Sequence, residues 1–125
     1  MSPTSGTTSL WSRTRERMSD LADREDDAQL REEAVEAGCR PVCDQRIGEV
    51  VTVHGEIRAV TYRPRSGARA LEALLYDGSG ALTLVWIGRT RIAGIEAGRS
   101  LTATGRLGVR DGGRVLYNPR YELCR

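Results

Sequence analysis

Five stretches of alternating apolar and polar residues constrain the fold of this chain most strongly. The first runs through Val51, Val53, Gly55 and Ile57, with mostly polar residues between them. Because successive side chains of a strand point to opposite faces, an alternation of period two predicts a half-buried β-strand. Similar patterns occupy residues 71–76, 81–87, 101–107 and 115–123. The sequence therefore predicts a β protein with five strands.

The connections between these strands differ in length. The segments 77–80 (DGSG) and 110–113 (RDGG) are rich in residues that tolerate positive φ, so each predicts a tight hairpin turn. Thr61 to Arg69 predicts a loop, because Pro64 and Gly67 interrupt strand pairing. Residues 88–98 are too rich in glycine for a long helix and predict one short helical turn between the third and fourth strands.

This order of elements points to one kind of barrel. Five strands with a short helical insertion between the third and fourth form the OB fold, a partly open Greek-key barrel. An SH3-like barrel is the main alternative, but it usually has shorter strands and no insertion at that place. We therefore expect residues 45–125 to form an all-β five-stranded OB-fold barrel.

The first part of the chain differs in pattern. Residues 1–9 are small and polar and predict a disordered tail. From Leu10 to Ala37 apolar residues recur at steps of three and four among charges of both signs, which predicts an α-helix with a thin apolar stripe. Gly38 should end this helix, and Pro41 prevents its continuation. We assign residues 1–44 to a tail followed by an acidic amphipathic helix.

The two parts carry opposite charge. Residues 1–44 contain six arginines and ten acidic residues, a net charge of −4, whereas residues 45–125 contain 13 arginines and seven acidic residues, a net charge of +6. Clustered arginines neutralise phosphates and supply most non-specific affinity for nucleic acid. The charge of the predicted barrel therefore favours a polyanionic partner.

Residues 51–123 also resemble a known group of proteins. The matching features are Val53-x-Gly55, the 77–80 turn, Gly88, Gly98-x-x-Leu101 and Gly105. They resemble the nucleic-acid-binding OB domains found beside tRNA synthetase catalytic domains and in branch-processing helicases, and more closely the small stand-alone OB-domain proteins of high-GC bacteria. The resemblance implies a nucleic-acid ligand and favours DNA over RNA. Its motifs describe architecture and do not identify the ligand.

OB modules bind nucleic acid on the outer face of strands two and three and on the adjoining loops. The alternation predicts six inward residues: Leu71, Ala73, Leu75, Leu82, Leu84 and Trp86. It predicts six outward residues: Glu72, Leu74, Tyr76, Thr83, Val85 and Ile87. Arg58 and His54 should lie beside this outer face, where Tyr76 becomes a candidate for base stacking.

The predicted loop after the first strand carries the strongest functional signal, because an aromatic residue is interleaved with arginines there. Further arginines follow the third strand and flank the last hairpin, including Arg114. The candidate nucleic-acid-binding residues are Arg58, Tyr62, Arg63, Arg65, Arg69, Tyr76, Arg89, Arg91 and Arg110. The alternative is that these arginines only solvate loops. Tyr117 and Tyr121 share a register with Val115 and are expected to pack.

Metal and enzyme chemistry find little support. Cys39, Cys43 and Cys124 are an odd number of thiols, expected to be reduced, and with His54 their spacing matches no common zinc site. A phosphate-gripping loop, a metal-spaced histidine pair and a Gly-x-Ser-x-Gly elbow are all missing from the sequence. We expect no metal, no cofactor and no catalysis, and Asp77 is interpreted as a hairpin residue.

Three roles remain open for the chain. The favoured role is a nucleic-acid-binding protein that takes single-stranded or distorted DNA with low sequence specificity. The second is a protein–protein assembly module that uses the barrel as a scaffold, with self-association through the helix or the outer face. The third is self-regulation, in which the acidic segment competes with phosphates for the barrel. The sequence contains no stretch long and apolar enough for a membrane helix and no signal-peptide pattern, which predicts a cytoplasmic protein with no membrane partner.

Overall fold

A computed structural model describes residues 24–65 and 67–124, with the backbone alone at residue 65. Within these residues, α1 covers residues 24–36 and a 3₁₀ turn covers Val42–Asp44. The strands are β1 Val50–Arg65, β2 Ala68–Tyr76, β3 Ala81–Ile87, β4 Ser100–Arg110, β5 Gly113–Tyr117 and β6 Arg120–Leu123. No helix in this part of the chain is both long and apolar enough to cross a membrane.

Five of the six strands close into a ring. The order is β1-β2-β3-β5-β4, and β4 pairs back onto β1. β1 belongs to both ends of this order, because residues 50–56 pair with β4 and residues 56–65 pair with β2. β3 and β5 are parallel, and the other ring pairs are antiparallel. The predicted all-β ring of five strands is thereby confirmed.

The predicted last strand divides in two. Asn118 has a positive φ of 49°, and Pro119 follows it, so the chain turns between β5 and β6. The backbone N–H of Asn118 donates to the carbonyl of Val85, and β6 then pairs with residues 101–104 of β4. The sheet therefore has six strands rather than five.

The ring encloses the hydrophobic core. All six residues predicted to point inward are buried in one cluster. Ile92 and Ile95 join this cluster from the segment between β3 and β4. That segment is a series of turns, so the predicted helical turn is wrong there. Gly88, Gly94 and Gly98 all have positive φ, which a right-handed helix does not accommodate.

The predicted loop from Thr61 to Arg69 is also wrong, because this segment is a β-hairpin. Tyr62 pairs with Leu71 and Pro64 pairs with Arg69, and Gly67, with a φ of 79°, lies in the turn. Pro64 is tolerated because residues 57–65 have only β2 as a partner among the described strands. Proline lacks an N–H donor, but it does not interrupt a sheet where its strand has no neighbouring strand on one side.

Helix α1 packs against the ring through a narrow apolar stripe. Leu30 and Ala34 are buried, as the thin stripe in the sequence predicts. The helix ends where expected: Gly38 has a φ of 79°, and the N–H of Cys39 donates to the carbonyl of Ala34. The first half of the predicted helix, from Leu10, lies outside the described residues. Val42 continues the contact and is fully buried in the core.

Candidate nucleic-acid interface

One end of the barrel carries a concentration of exposed arginines, which we call the arginine arm. It consists of residues 61–65 and 67–71 of the β1–β2 hairpin and residues 88–91 after β3. The N–H of Gly88 donates to the carbonyl of Arg69 at 2.6 Å, which joins the two segments. Arg63, Arg69, Arg89 and Arg91 are all exposed, and no described residue forms an ion pair with them. Residues 59–71 and 87–95 contain no acidic residue.

The candidate residues that are close together in the sequence lie on opposite faces of the β1–β2 hairpin. Directly paired residues share a face, so Arg63 lies with Ala70 and Ile87 on the outer face. Tyr62 lies with Leu71 and Trp86 on the inner face, but it extends past the core and remains 47% exposed. Tyr62 and Arg63 thus lie at the same end of the barrel but on opposite faces of the hairpin. At Arg65 only the backbone is described, at the end of β1.

Arg69 lies on the same face of the hairpin as Tyr62. It pairs with Pro64, two residues from the pair of Tyr62 with Leu71. Side chains two residues apart on a strand share a face. The hairpin thus presents arginine to solvent on both faces, and Arg89 follows the same end of β3.

The outer face of β2, β3 and β5 is less open than the sequence predicts. Leu74 and Ile87 are exposed as expected, but Glu72 and Val85 are buried. Val85 joins Ala70 and Val115 in a second, smaller apolar cluster. Glu72 and Val85 do point to the outer face as predicted, but a side chain of β4 covers them.

The covering side chain is Arg110. Its Nη2 donates to Glu72 Oε1 at 3.0 Å and its Nη1 to Glu72 Oε2 at 3.3 Å, and it lies near enough to Tyr117 for the two groups to interact electrostatically. Glu72, Val85 and Tyr117 are successive partners across β2, β3 and β5, so the guanidinium lies over Val85. The hydrogen bond to Glu72 raises the pKa of Arg110. Arg110 is thus committed to an internal pair rather than presented to a ligand.

Tyr117 is the site residue that the sequence analysis missed. It points to the outer face and is 44% exposed, whereas Leu116 fills the core. The expected packing of Tyr117 in the interior is wrong, because β5 pairs in parallel with β3 and places Tyr117 beside Val85. Tyr121 does pack, with its ring edge-on to Trp86 at a centroid distance of 5.6 Å. Buried Trp86 is confirmed as a core residue.

Arg58 and Tyr76 lie under α1, away from the arginine arm. Arg58 is the extra residue of a β-bulge in β1, and its guanidinium lies 5.1 Å from the centre of the Tyr76 ring. Asp26 of α1 accepts a 2.5 Å hydrogen bond from Arg58, and Glu56 forms a further ion pair with it at 3.2 Å. The hydrogen bond to Asp26 raises the pKa of Arg58.

Tyr76 lies near the adjacent acidic residue of the helix. Burial is the largest cause of its raised pKa, and interaction with Asp27 raises the pKa further. Three of the nine candidate residues, Arg58, Tyr76 and Arg110, therefore interact with acidic groups of the same chain. The same helix contributes Glu33 and Glu36 to a cleft of about 410 Å³ that His54 and Cys124 also line.

His54 does not lie on an open polar face as expected. It is buried, and its Nδ1 is 2.9 Å from Thr102 Oγ1 and 3.8 Å from Cys124 Sγ. Burial raises the pKa of the Cys39 thiol, and Cys43 is exposed. Among the described residues no group of three or more histidine, cysteine or acidic side chains is arranged to hold a metal ion.

The candidate residues thus form two groups at different places on the barrel. Tyr62, Arg63, Arg69, Arg89 and Arg91 belong to the exposed arginine arm, whereas Arg58, Tyr76 and Arg110 have partners within the chain. Searches against models of protein families and against curated protein sequences find no match to this chain.

Proposed function

We propose that this protein is a non-catalytic nucleic-acid-binding module of the OB type, which binds single-stranded or distorted DNA with low sequence specificity. Two features support the OB proposal: the closed ring of five strands, and the segment between β3 and β4 whose Ile92 and Ile95 enter the core. The observation that carries the functional proposal is the arginine arm, where exposed guanidinium groups have no acidic neighbour in the surrounding sequence.

The arm and the adjacent outer face supply complementary chemistry. Arginine side chains neutralise phosphates along the backbone of a strand. Ile87 and Tyr117 offer exposed apolar and aromatic surface on the same outer face as Arg63, and stacking of a base on an aromatic ring contributes about 1–3 kcal/mol. None of these contacts distinguishes one base from another, so the proposed binding has low sequence specificity.

Fluorescence-anisotropy titrations test this proposal. Wild-type protein is titrated with single-stranded DNA, duplex DNA and single-stranded RNA at low and moderate salt, beside the double variant Arg63→Ala/Arg69→Ala. The control is Arg46→Ala/Arg120→Ala, which removes the same charge from exposed arginines outside the arm. We expect salt-sensitive binding that the arm variant weakens about tenfold or more and the control changes little. Binding that is equally weakened by both variants would contradict a specific role of the arm.

A second candidate function is a protein–protein assembly module. Leu74 and Ile87 are large apolar residues exposed on the outer face, and exposed apolar patches often mark interfaces. Sedimentation analysis distinguishes the two functions. A stable oligomer that Leu74→Glu/Ile87→Glu dissociates, together with no binding in the titrations, would favour assembly over nucleic-acid recognition.

A further inference from the structure

Helix α1 places two consecutive carboxylates on groups suited to nucleic acid. Asp26 pairs with Arg58, and Asp27 lies near enough to Tyr76 to help raise the pKa of its hydroxyl. The Tyr76 ring lies beneath the Arg58 guanidinium. An arginine stacked on an aromatic ring is a typical surface for a phosphate and its base. In α1, the carboxylates of Asp26 and Asp27 lie where a phosphate and a base of a nucleic-acid strand would have to lie to contact Arg58 and Tyr76.

The helix is fixed at this position by the turn between β2 and β3. Arg31 reaches the buried carboxylate of Asp77 at 3.4 Å, and Gly78 lies against the backbone of Asp27 so closely that an added Cβ would collide with its carbonyl oxygen. The apolar part of the contact is small, because Leu30 and Ala34 are the only buried residues within residues 24–36. Polar contacts therefore contribute a large share of the docking.

We propose that α1 is an internal competitor of nucleic acid, which closes the Arg58 and Tyr76 end of the interface and leaves the arginine arm open. This inference rests on the proposed function. A strand bound at the arm reaches Arg58 and Tyr76 only when Asp26 and Asp27 release them. Loss of these two carboxylate contacts lengthens the interface by one stacking residue and one phosphate contact.

Point variants test this proposal better than truncation. Removing residues 1–44 would also remove Val42, which is fully buried in the core and donates its N–H to Asp77 at 2.8 Å. The test variant is Asp26→Asn/Asp27→Asn in the full chain. The control is Glu25→Gln/Glu32→Gln, which makes the same charge change on exposed residues of α1 that have no hydrogen bond or ion pair with a described residue.

The measurement is the affinity for single-stranded DNA as a function of salt. We expect Asp26→Asn/Asp27→Asn to bind about fivefold to tenfold more tightly than the control. The slope of log affinity against log salt concentration should be steeper by the amount that about one additional phosphate contact produces. Adding Arg58→Ala to the test variant should cancel the gain. Equal affinity of the test variant and the control, with wild-type binding intact, would overturn the proposal that α1 competes with nucleic acid. It would leave the proposed function standing. Absence of binding by every variant would overturn both.

Discussion

Asp77 organises more of the structure than its position in a hairpin turn implies. Its carboxylate is almost fully buried and accepts hydrogen bonds from the backbone N–H groups of Val42, Ser79 and Gly80 as well as from Arg31. One side chain thereby joins the turn, the 3₁₀ segment and α1. The sequence predicts the turn residue, but its distant partners follow from the tertiary structure.

We expect Asp77→Ala to lower the free energy of unfolding by about 3 kcal/mol, because it leaves one buried and two partly buried N–H donors without an acceptor. Urea unfolding followed by circular dichroism measures the change. Glu122→Ala, at an exposed position of β6, is the control and should change stability by less than about 0.5 kcal/mol. Equal effects of the two variants would contradict the assigned role of Asp77.

The ion pair between Glu72 and Arg110 can be tested by a single substitution. Arg110→Ala removes a cation that donates two hydrogen bonds to the nearly buried Glu72 carboxylate, and we expect a loss of about 2 kcal/mol of stability. Arg120→Ala, at an exposed site with no ion pair to a described residue, should lose much less. If both variants unfold at the same urea concentration, the pair has no structural role.

The pKa of Tyr76 reports the docking of α1. Burial and interaction with Asp27 raise this pKa above its ordinary value of about 10. Because the folded pKa is the higher one, the associated stability is present below pH 10 and is lost as the pH rises through the folded value. We expect Asp27→Asn to lower the pKa of Tyr76, measured as the absorbance titration at 295 nm after subtraction of the Tyr76→Phe variant. An unchanged pKa would show that Asp27 does not contact Tyr76 in solution.

At the scale of elements, the sequence predicts strands well where one face is buried. The inward register of β2 and β3 follows from simple alternation, since every second residue enters the core. The hairpin from Thr61 to Arg69 could not be predicted in this way, because it extends past the core and carries polar residues on both faces. The register of β5 was equally hidden, since both Val115 and Leu116 are buried, one on each side of the sheet.

The close contact between the β2–β3 turn and α1 can be tested at Gly78. In Gly78→Ala the new Cβ meets the backbone of Asp27, and the residue must also adopt a φ of 88°. Gly112→Ala is a matched control, because its φ is 79° and no atom lies within 4 Å of the added Cβ. We expect both variants to lose about 1 kcal/mol from backbone strain. Only Gly78→Ala should lose hydrogen-exchange protection in α1, and equal protection in both would contradict the close contact.

At the scale of the whole molecule, the charge asymmetry of the sequence anticipates the contact between an acidic segment and a basic barrel. It does not show which arginines are neutralised. Arg58 and Arg110 resemble Arg63 and Arg89 in the sequence, but the fold brings Asp26 to Arg58 and Glu72 to Arg110. The part of the candidate site that remains exposed therefore depends on pairs that are 32 and 38 residues apart in the chain.

Amide chemical-shift mapping with a single-stranded DNA oligonucleotide tests the central proposal most directly. We predict salt-sensitive shift changes concentrated in residues 61–71 and 87–91 and at Tyr117, with little change around Arg46 and Arg120. Changes confined to other surfaces of the barrel, or no changes at low salt, would contradict a nucleic-acid interface on the arginine arm.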